Sequence, residues 1–181
     1  MNNTILVTIG IPCYNVGQYI ALSIKSVLAQ TYTNFELIIT DDGSTDNTVE
    51  EIKKFKDPRI KLIVDGRNRG ISYRLNQQID MAKGEFFVRM DGDDLMFPDR
   101  VEKQINYLLQ HPETDVVGSS AVIIDNDNTI SGFREGKNNF FSMRDILFRA
   151  RYIHPTVTGR IDWFKRYRYK EEYNGCEDRN L

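Results

Sequence analysis

Strand-like and helix-like segments alternate along the first two thirds of the chain, and this alternation restricts the possible folds more than any other feature. Short apolar runs rich in β-branched residues are separated by longer amphipathic stretches. Near-continuous apolar runs are typical of strands buried on both faces of a parallel sheet. The pattern predicts an α/β fold with a mostly parallel central sheet flanked by helices on both faces. The predicted strands are 4–11, 35–40, 59–64, 85–90 and 114–124, and the predicted helices are 17–30, 44–55, 72–84 and 98–110.

Length and composition restrict the class of protein. The 181 residues are enough for one compact domain with a real core, so we predict a single domain over 1–181, although the periodicity weakens after about residue 125. A formal net charge of −2 gives no whole-chain bias towards nucleic acid. Two distant cysteines and two histidines predict neither a zinc cluster nor a disulfide framework. With no basic leader and no long apolar run, we expect a cytoplasmic protein.

Polar or acidic residues follow three of the predicted strands. They are "PCYN" (12–15) after the first strand, "DDGS" (41–44) after the second and "DGDD" (91–94) after the fourth. In open parallel sheets, ligands bind beyond the carboxyl ends of the strands. We therefore expect the three segments to lie along one edge of the sheet and to form a binding site.

The segment "DGDD" places Asp91, Asp93 and Asp94 within four positions. Two carboxylates about 4 Å apart repel by roughly 4 kcal/mol at an effective dielectric near 20, so the segment is either a solvated turn or a site with a neutralising partner. An EF-hand is excluded, because Leu95 stands where that loop needs an oxygen ligand. Magnesium suits the pattern, since one or two carboxylates hold it together with waters and substrate phosphates, and manganese accepts the same ligands.

The other two segments contain groups that suit a nucleotide base. Tyr14 can stack on a base, and Asp42 can accept a hydrogen bond from an imide N–H. Each residue also has a structural interpretation, Tyr14 as a partly buried structural tyrosine and Asp42 as a turn or cap carboxylate. The phosphate-binding motifs of dinucleotide and P-loop proteins are absent. The joint position of these groups beside an Asp-x-Asp favours nucleotide recognition.

Three stretches of the sequence together resemble family 2 glycosyltransferases of the GT-A fold. They are "VTIGIPCYN", "QTYTNFELIITDDGSTDNT" and "NRGISYRLNQQIDMAKGEFFVRMDGDDLMFPDR", and the match runs in register from about residue 5 to 103. The resemblance implies a Rossmann-like nucleotide-binding fold and a nucleoside-diphosphate sugar as donor, with uridine diphosphate as the expected carrier. It also implies a nucleotide-sugar-binding half, 1–125, and an incomplete acceptor-side half, 126–181.

The same resemblance implies a role for each residue along the predicted edge. Pro12 and Tyr14 would line the base pocket, and Asp42 would recognise the base. Asp91 would contact the ribose and the metal region. Asp93 would be the metal-binding residue of the Asp-x-Asp, holding Mn²⁺ or Mg²⁺.

The second half of the chain carries a weaker resemblance. "YIHPTVTGR" (152–160) is similar to the family's segment leading towards the acceptor side, and Glu177-Asp178 is similar to its Glu-Asp motif. By this match Asp178 would be the catalytic base, which takes the proton from an acceptor hydroxyl as that oxygen attacks the anomeric carbon with inversion. The implied acceptor is a glycan or a lipid-linked molecule in the synthesis of cell-surface polysaccharide.

The sequence departs from the family pattern at two places. An arginine often directly precedes the asparagine of the third helix, whereas here Arg74 lies one position earlier, which leaves open a role in contacting the phosphates or the base. Family domains usually continue well past the Glu-Asp motif, but this chain ends three residues after Asp178. We therefore expect a truncated domain, whose later part would hold acceptor-binding helices or an anchor to the inner face of the membrane.

Two other functions stay open at this point. A non-catalytic fragment that only binds a nucleotide sugar fits the short chain, and donor hydrolysis would separate it from an enzyme. A metal-dependent phosphotransferase can also use an Asp-x-Asp at a strand end with Mg²⁺, but it normally needs a nucleophilic aspartate earlier in the sheet. The basic run "FKRYRYK" (164–170) is interpreted as a solvated surface, because the net charge of −2 does not support binding to RNA or to anionic lipid.

Overall fold

The computed structural model describes residues 4–125, 127, 129–136 and 153–173. The strands are β1 (Val7–Cys13), β2 (Phe35–Asp41), β3 (Ile60–Val64), β4 (Phe86–Arg89), β5 (Val116–Val117), β6 (Ala121–Ile124), β7 (Ile130–Arg134) and β8 (Thr158–Arg160). The helices are α1 (Ile20–Leu28), α2 (Thr48–Lys53), α3 (Ile71–Met81), α4 (Arg100–Gln110) and α5 (Ile161–Arg166), with 3₁₀ turns at His154–Thr156 and Glu171–Tyr173. A six-stranded sheet has the order β3-β2-β1-β4-β8-β5, and β6 pairs with β7 in a separate two-stranded sheet.

The first four strands of the central sheet run parallel, as the alternation predicts. β1 pairs with β2 on one side, where Val7 lies opposite Phe35, and with β4 on the other, where Val7 lies opposite Phe86. β3 continues the sheet beside β2 in the same direction. β8 runs antiparallel to β4, and β5 runs antiparallel to β8. The sheet is therefore mixed but mostly parallel, and the predicted fold class is confirmed.

Alternate residues of the strands point into two apolar clusters, one on each face of the sheet. Phe86 and Val88 of β4 belong to the cluster formed with α1, α2 and α4, whereas Phe87 belongs to the cluster formed with α3 and α5. All seven residues of β1 are buried, because this strand is central and covered on both faces. Truncating a buried phenylalanine typically costs about 3–5 kcal/mol. The strands that lead to the edge of the sheet are therefore anchored in a well-packed core.

The prediction of one strand over 114–124 is wrong. This stretch divides into β5 in the central sheet and β6 in the small sheet. Between them the Ser119 N–H donates to Thr156 Oγ1 at 2.9 Å, so the chain binds the 3₁₀ turn instead of a neighbouring strand. The loop-like pattern after residue 125 also did not predict β7, β8 or α5. Each of these elements has six residues or fewer, too short for periodicity to stand out.

All four predicted helices are present, and all are shorter than their sequence patterns. α3, for example, ends at Met81, before Gly84. Gly84 is needed for a different reason, because a Cβ there would lie 2.5 Å from the backbone nitrogen of Thr8. The glycine lets the chain pass closely against β1 before it enters β4.

Candidate functional site

The carboxyl ends of β1, β2 and β4 meet at one edge of the central sheet. Cys13 lies opposite Asp41, and the Asp42 N–H donates to the Cys13 carbonyl oxygen at 2.8 Å. On the other side of β1, the Met90 N–H donates to the Gly10 carbonyl oxygen at 3.1 Å. The three polar segments that follow these strands are thus neighbours, which matches their expected placement along one edge.

Hydrogen bonds hold the loops after β1 and β2 against each other. The Asn15 N–H donates to Ser44 Oγ at 2.9 Å, and the Gly17 N–H donates to Asp46 Oδ2 at 2.9 Å. Asn15 itself has a φ of 52°, a left-handed conformation that asparagine tolerates better than most residues. The two loops therefore form one connected surface beside Tyr14.

Tyr14 presents its ring to solvent at this edge. The residue is 48% exposed, so about half of its surface is available to a ligand. Pro12, by contrast, lies buried within β1, opposite Thr40. An exposed aromatic ring can stack on a base of any kind. Of the two residues implied for the base pocket, Tyr14 is the one with surface available to a ligand.

Asp42 is buried and receives three hydrogen bonds from the protein. Its Oδ1 accepts from the Arg69 N–H at 2.8 Å and from Arg74 Nε at 2.8 Å, and its Oδ2 accepts from the Gly70 N–H at 3.0 Å. Arg74 is fully buried, so its guanidinium serves acceptors of the protein. Asp42 thus has a structural role, but with partners outside its own turn. Sequence reasoning missed this pair, because 32 positions separate the two residues.

The acidic loop after β4, Asp91–Asp94, contains one carboxylate that is neutralised internally. Asp91 forms a two-point ion pair with Arg89, in which Nη1 donates to Oδ2 at 2.8 Å and Nη2 lies 2.7 Å from Oδ1. The Arg89 side chain is buried, whereas Asp93 is exposed. Arg89 therefore neutralises the charge of Asp91. The sequence indicated this pair, because Arg89 lies only two residues before Asp91.

Helix α1 holds the backbone of this acidic loop. Ser23 Oγ lies 2.8 Å from the Gly92 carbonyl oxygen and 2.7 Å from the Asp94 carbonyl oxygen, and Ser26 Oγ accepts from the Met96 N–H at 3.0 Å. The amphipathic pattern predicted α1, but it did not indicate that its two serines would bind the loop. The side of this backbone that faces α1 is consequently held in place by hydrogen bonds.

The third acid of the loop, Asp94, is half-buried. Its burial raises its pKa to about 6, and the negative charges of Asp91 and Asp93 add to this effect. The positive charges of Arg89 and Arg100 act in the opposite direction without cancelling it. The three carboxylates thus carry more negative charge than Arg89 and Arg100 neutralise. This excess favours the binding of a further cation.

Asp94→Asn is expected to stabilise the metal-free protein at neutral pH. The pKa of Asp94 in the folded protein lies above the value of about 3.9 for an unfolded chain, so the folded state binds more protons than the unfolded state between about pH 4 and 6. The free energy of unfolding therefore falls as the pH rises through this window. With allowance for solvent screening, removing the charge should add about 1–2 kcal/mol at pH 7.

Thermal unfolding in chelator at about pH 4 and pH 7 measures this effect. Asp162→Asn, which removes an exposed acid at the start of α5, serves as the control. An Asp94→Asn protein with the same stability difference between the two pH values as the unmodified protein would contradict the prediction.

The acidic loop also fits a divalent cation that arrives with a diphosphate. Among the residues that the structure describes, no group of three or more His, Cys, Asp or Glu side chains is arranged to hold a metal ion alone. Mg²⁺ and Mn²⁺ need only one or two carboxylates when waters and phosphate oxygens complete the coordination. Asp93 is the exposed carboxylate that suits this role, since both oxygens of Asp91 are bound to Arg89.

An open cavity of about 1010 Å³ adjoins the acidic loop. Asp93 and Asp94 form one part of its wall, and Pro155 and Thr156 of the 3₁₀ turn form another. Apolar side chains from α1, the segment just after the acidic loop and the β6–β7 sheet complete it, among them Leu22, Leu95, Phe97, Ile123 and Phe133. The lining of the cavity therefore combines charged groups with apolar side chains. Tyr14 and Asp42 lie outside it.

The sequence matches "Glycosyl transferase family 2" over residues 8–172, which includes every loop of the edge described above. The chain belongs to glycosyl transferase family 2. The resemblance inferred from the sequence motifs is thereby confirmed, and the protein belongs to a family of enzymes. Asp178 lies beyond the matched residues and also outside the residues that the structure describes.

Named bacterial relatives support the assignment of the chain to glycosyl transferase family 2. The Escherichia coli UDP-Glc:alpha-D-GlcNAc-diphosphoundecaprenol beta-1,3-glucosyltransferase WfgD is 38% identical over 127 residues, which cover 70% of this chain and 49% of WfgD. Glycosyltransferase GlyG of Streptococcus pneumoniae is 34% identical over 114 residues, covering 62% of this chain and 38% of GlyG. The chain thus spans less than half the length of these relatives.

Two solved structures share the fold. S. aureus TarS 1-349 in complex with UDP superimposes with a TM-score of 0.74 at 23% identity, over 96% of this chain and 52% of that structure. The mannosyltransferase PcManGT from Pyrobaculum calidifontis, in complex with GDP-Man and Mn²⁺, gives a TM-score of 0.72 at 17% identity, over 96% and 50%. Among the described residues of the family 2 chain, no helix has the length and apolar character needed to cross a membrane.

Proposed function

We propose that this family 2 glycosyl transferase moves a sugar from a nucleoside diphosphate, most simply UDP, to an acceptor hydroxyl with inversion. The observation that carries the proposal is the joint position of exposed Tyr14, buried Asp42 and the acidic loop at the ends of three neighbouring strands. The UDP in the TarS structure and the UDP-glucose donor in the name of WfgD support it.

The base of the donor would be held by the loops after β1 and β2. Tyr14 stacks on its face, and Asp42 accepts a hydrogen bond from a ring N–H at its edge. The 2.8 Å hydrogen bond from the Asp42 N–H to the Cys13 carbonyl oxygen keeps the two loops side by side, so one base can meet both residues. Pro12 would contribute only backbone and a small part of its ring, since it is buried.

The acidic loop would bind the ribose and the diphosphate region. Arg89 holds the carboxylate of Asp91 in one orientation, and this carboxylate would contact the ribose. Asp93 would hold Mn²⁺ or Mg²⁺, and the Mn²⁺ in the PcManGT structure supports a divalent cation. When bound, the cation neutralises the departing diphosphate as a Lewis acid. Asp94 would keep the local charge negative enough to favour this binding.

Asp178 would act as the catalytic base. Its carboxylate takes the proton of the acceptor hydroxyl while that oxygen forms a bond to the anomeric carbon. The bond between the anomeric carbon and the diphosphate oxygen breaks in the same displacement, and the nucleoside diphosphate leaves. Attack from the face opposite the leaving group inverts the anomeric carbon, and the transferred proton stays on Asp178 until solvent removes it.

The acceptor would enter from the cavity beside the acidic loop. A glycan or a lipid-linked sugar fits a space that has carboxylates at one end and apolar side chains along its wall. The diphosphoundecaprenol-linked acceptor in the name of WfgD supports a lipid-linked molecule, and hence a role in cell-surface polysaccharide synthesis. We propose a cytoplasmic location, with the acceptor reached at the inner face of the membrane.

Tyr14→Ala and Asp42→Asn are each expected to weaken the binding of UDP about tenfold or more. The first removes base stacking worth about 1–3 kcal/mol, and the second removes a hydrogen bond to a charged acceptor. Isothermal titration with UDP in Mn²⁺ measures the loss. Tyr107→Ala is the matched control for the first variant, because Tyr107 on α4 is 47% exposed, almost the same as Tyr14. Asp57→Asn is the control for the second, since Asp57 is likewise paired with an arginine, Arg59.

Loss of binding in the controls as well as in the site variants would contradict the proposal, as would binding that survives in both site variants. Hydrolysis of a UDP-sugar in the absence of acceptor separates an enzyme from a fragment that only binds the donor. Release of phosphate from simple phosphomonoesters would instead indicate the phosphotransferase.

A further inference from the structure

Arg74 is a buried cation that the proposed donor chemistry does not use directly. It lies on α3 with no exposed surface. Its Nε donates to Asp42 Oδ1 at 2.8 Å, while its Nη2 donates to Asp65 Oδ1 and to the Arg67 carbonyl oxygen, both at 2.6 Å. A guanidinium is costly to bury unless it is paired and its N–H groups are bonded. The side chain is therefore committed to these acceptors.

The hydrogen bonds to Asp42 leave it with one acceptor position. A carboxylate has two oxygens with about four acceptor positions in all. Oδ1 receives two donors, the Arg69 N–H and Arg74 Nε, and Oδ2 receives one, the Gly70 N–H. About a tenth of the side chain, 9%, remains exposed at the edge. By this count Asp42 can accept one further hydrogen bond, through Oδ2.

Arg74 also holds the loop 65–70, which supplies the other two donors to Asp42. Asp65, at the start of this loop, binds the Arg74 side chain, and these hydrogen bonds keep the pKa of Asp65 well below its usual range. The loop packs closely on Gly43, whose φ is +77° and where a Cβ would lie 2.9 Å from the loop backbone. One arginine thus fixes both the carboxylate and the loop that surrounds it.

We propose that Arg74 is a positioning residue that sets base specificity, by holding Asp42 so that its single available acceptor position meets the edge of the base. This inference rests on the proposed function, because it takes Asp42 as the residue that contacts the base. Such a carboxylate selects nucleoside diphosphates whose base carries a ring N–H, which are those of uracil, thymine and guanine. Cytosine and adenine present a ring nitrogen lone pair at the same place, and two acceptors repel.

Lysine could not replace arginine in this role. The planar guanidinium binds Asp42 through one N–H and Asp65 through others at the same time, whereas an ammonium group is a single point charge. Without the several N–H groups of the planar guanidinium, the Asp42 carboxylate could rotate and present its other oxygen to the base. If Arg74 has a purely structural role, its replacement should distort the pocket and weaken the binding of every nucleotide to the same degree.

The ratio of the affinities for UDP and CDP distinguishes the two roles. We expect Arg74→Gln to lower this ratio about tenfold, because the hydrogen bond from the base N–H to the Asp42 carboxylate would no longer be well aligned. Asp65→Asn, which leaves Arg74 in place but weakens its second anchor, should lower the ratio in the same direction by a smaller factor. Arg59→Gln is the control, because Arg59 makes a similar two-point contact with Asp57 away from this edge.

Isothermal titration of each folded variant with UDP and with CDP gives the ratios, and circular dichroism verifies the folding. An unchanged ratio in Arg74→Gln, with both affinities reduced equally, would overturn the inference. If Arg74→Gln does not fold, Asp65→Asn decides in the same way. A wild-type protein that binds neither nucleotide would refute the proposed function itself, whereas a wild-type preference for UDP that survives in the variants would refute only the role of Arg74.

Discussion

Asp93→Ala is expected to abolish the effect of a divalent cation on UDP binding and to slow sugar transfer by about two orders of magnitude or more. The acidic loop has one carboxylate neutralised by Arg89, and Asp93 is the exposed carboxylate that we propose would hold a cation arriving with the diphosphate. A Lewis acid at the departing diphosphate is worth several kcal/mol of transition-state stabilisation. Titration of UDP in Mn²⁺ and in chelator, with single-turnover transfer rates, measures both effects.

Asp162→Ala provides the control, since it removes an exposed carboxylate on α5 and leaves the acidic loop intact. Arg89→Gln adds a second comparison. It removes the two-point ion pair of Asp91, so it should alter the metal dependence without abolishing it. Equal affinity for UDP in Mn²⁺ and in chelator, already in the unmodified protein, would remove the cation from the mechanism.

Asp178→Asn is expected to slow sugar transfer by about 10²-fold or more, the usual contribution of a general base. Asparagine keeps the size of the side chain but cannot take the proton of the acceptor hydroxyl. Binding of UDP should be unchanged, because the nucleotide would sit at the ends of β1, β2 and β4. Transfer rates under single turnover, together with titration of UDP, separate the two effects.

Glu177→Gln is the matched control, since it changes the neighbouring acid in the same way. Wild-type transfer by Asp178→Asn would refute the assignment of the base and direct attention to Glu171, Glu172 and Glu177. A parallel loss of UDP binding would instead indicate that Asp178 supports the donor site.

The regular part of the fold could be predicted from periodicity alone. The strands β1 to β4 are continuous apolar runs, and the helices between them carry one apolar face, so local pattern was enough to identify them. The parallel arrangement followed because strands that are linked by helices return in the same direction. From this alone the three polar segments were expected at one edge, and the structure places them there.

The far side of the sheet could not be predicted in the same way. β8 has three residues and β5 has two, and they extend the sheet only through their pairing, β8 with β4 and β5 with β8. No periodic signal exists in two or three residues. The division of the predicted strand 114–124 has the same origin, since its middle binds Thr156, which lies 37 positions away.

The amino-acid sequence was sufficient to identify the family, the order of the main elements and the acidic and aromatic residues of the edge, because these depend on local pattern and residue type. Only the tertiary structure decided how those residues are held. Arg89 neutralises Asp91, and Arg74 takes up most of the acceptor capacity of Asp42. The pair of Arg74 and Asp42 depends on a distance that folding creates between residues 32 positions apart, and the burial of Arg89 beside Asp91 also arises only on folding. The free energy of burying an arginine beside a carboxylate cannot be inferred from either residue alone.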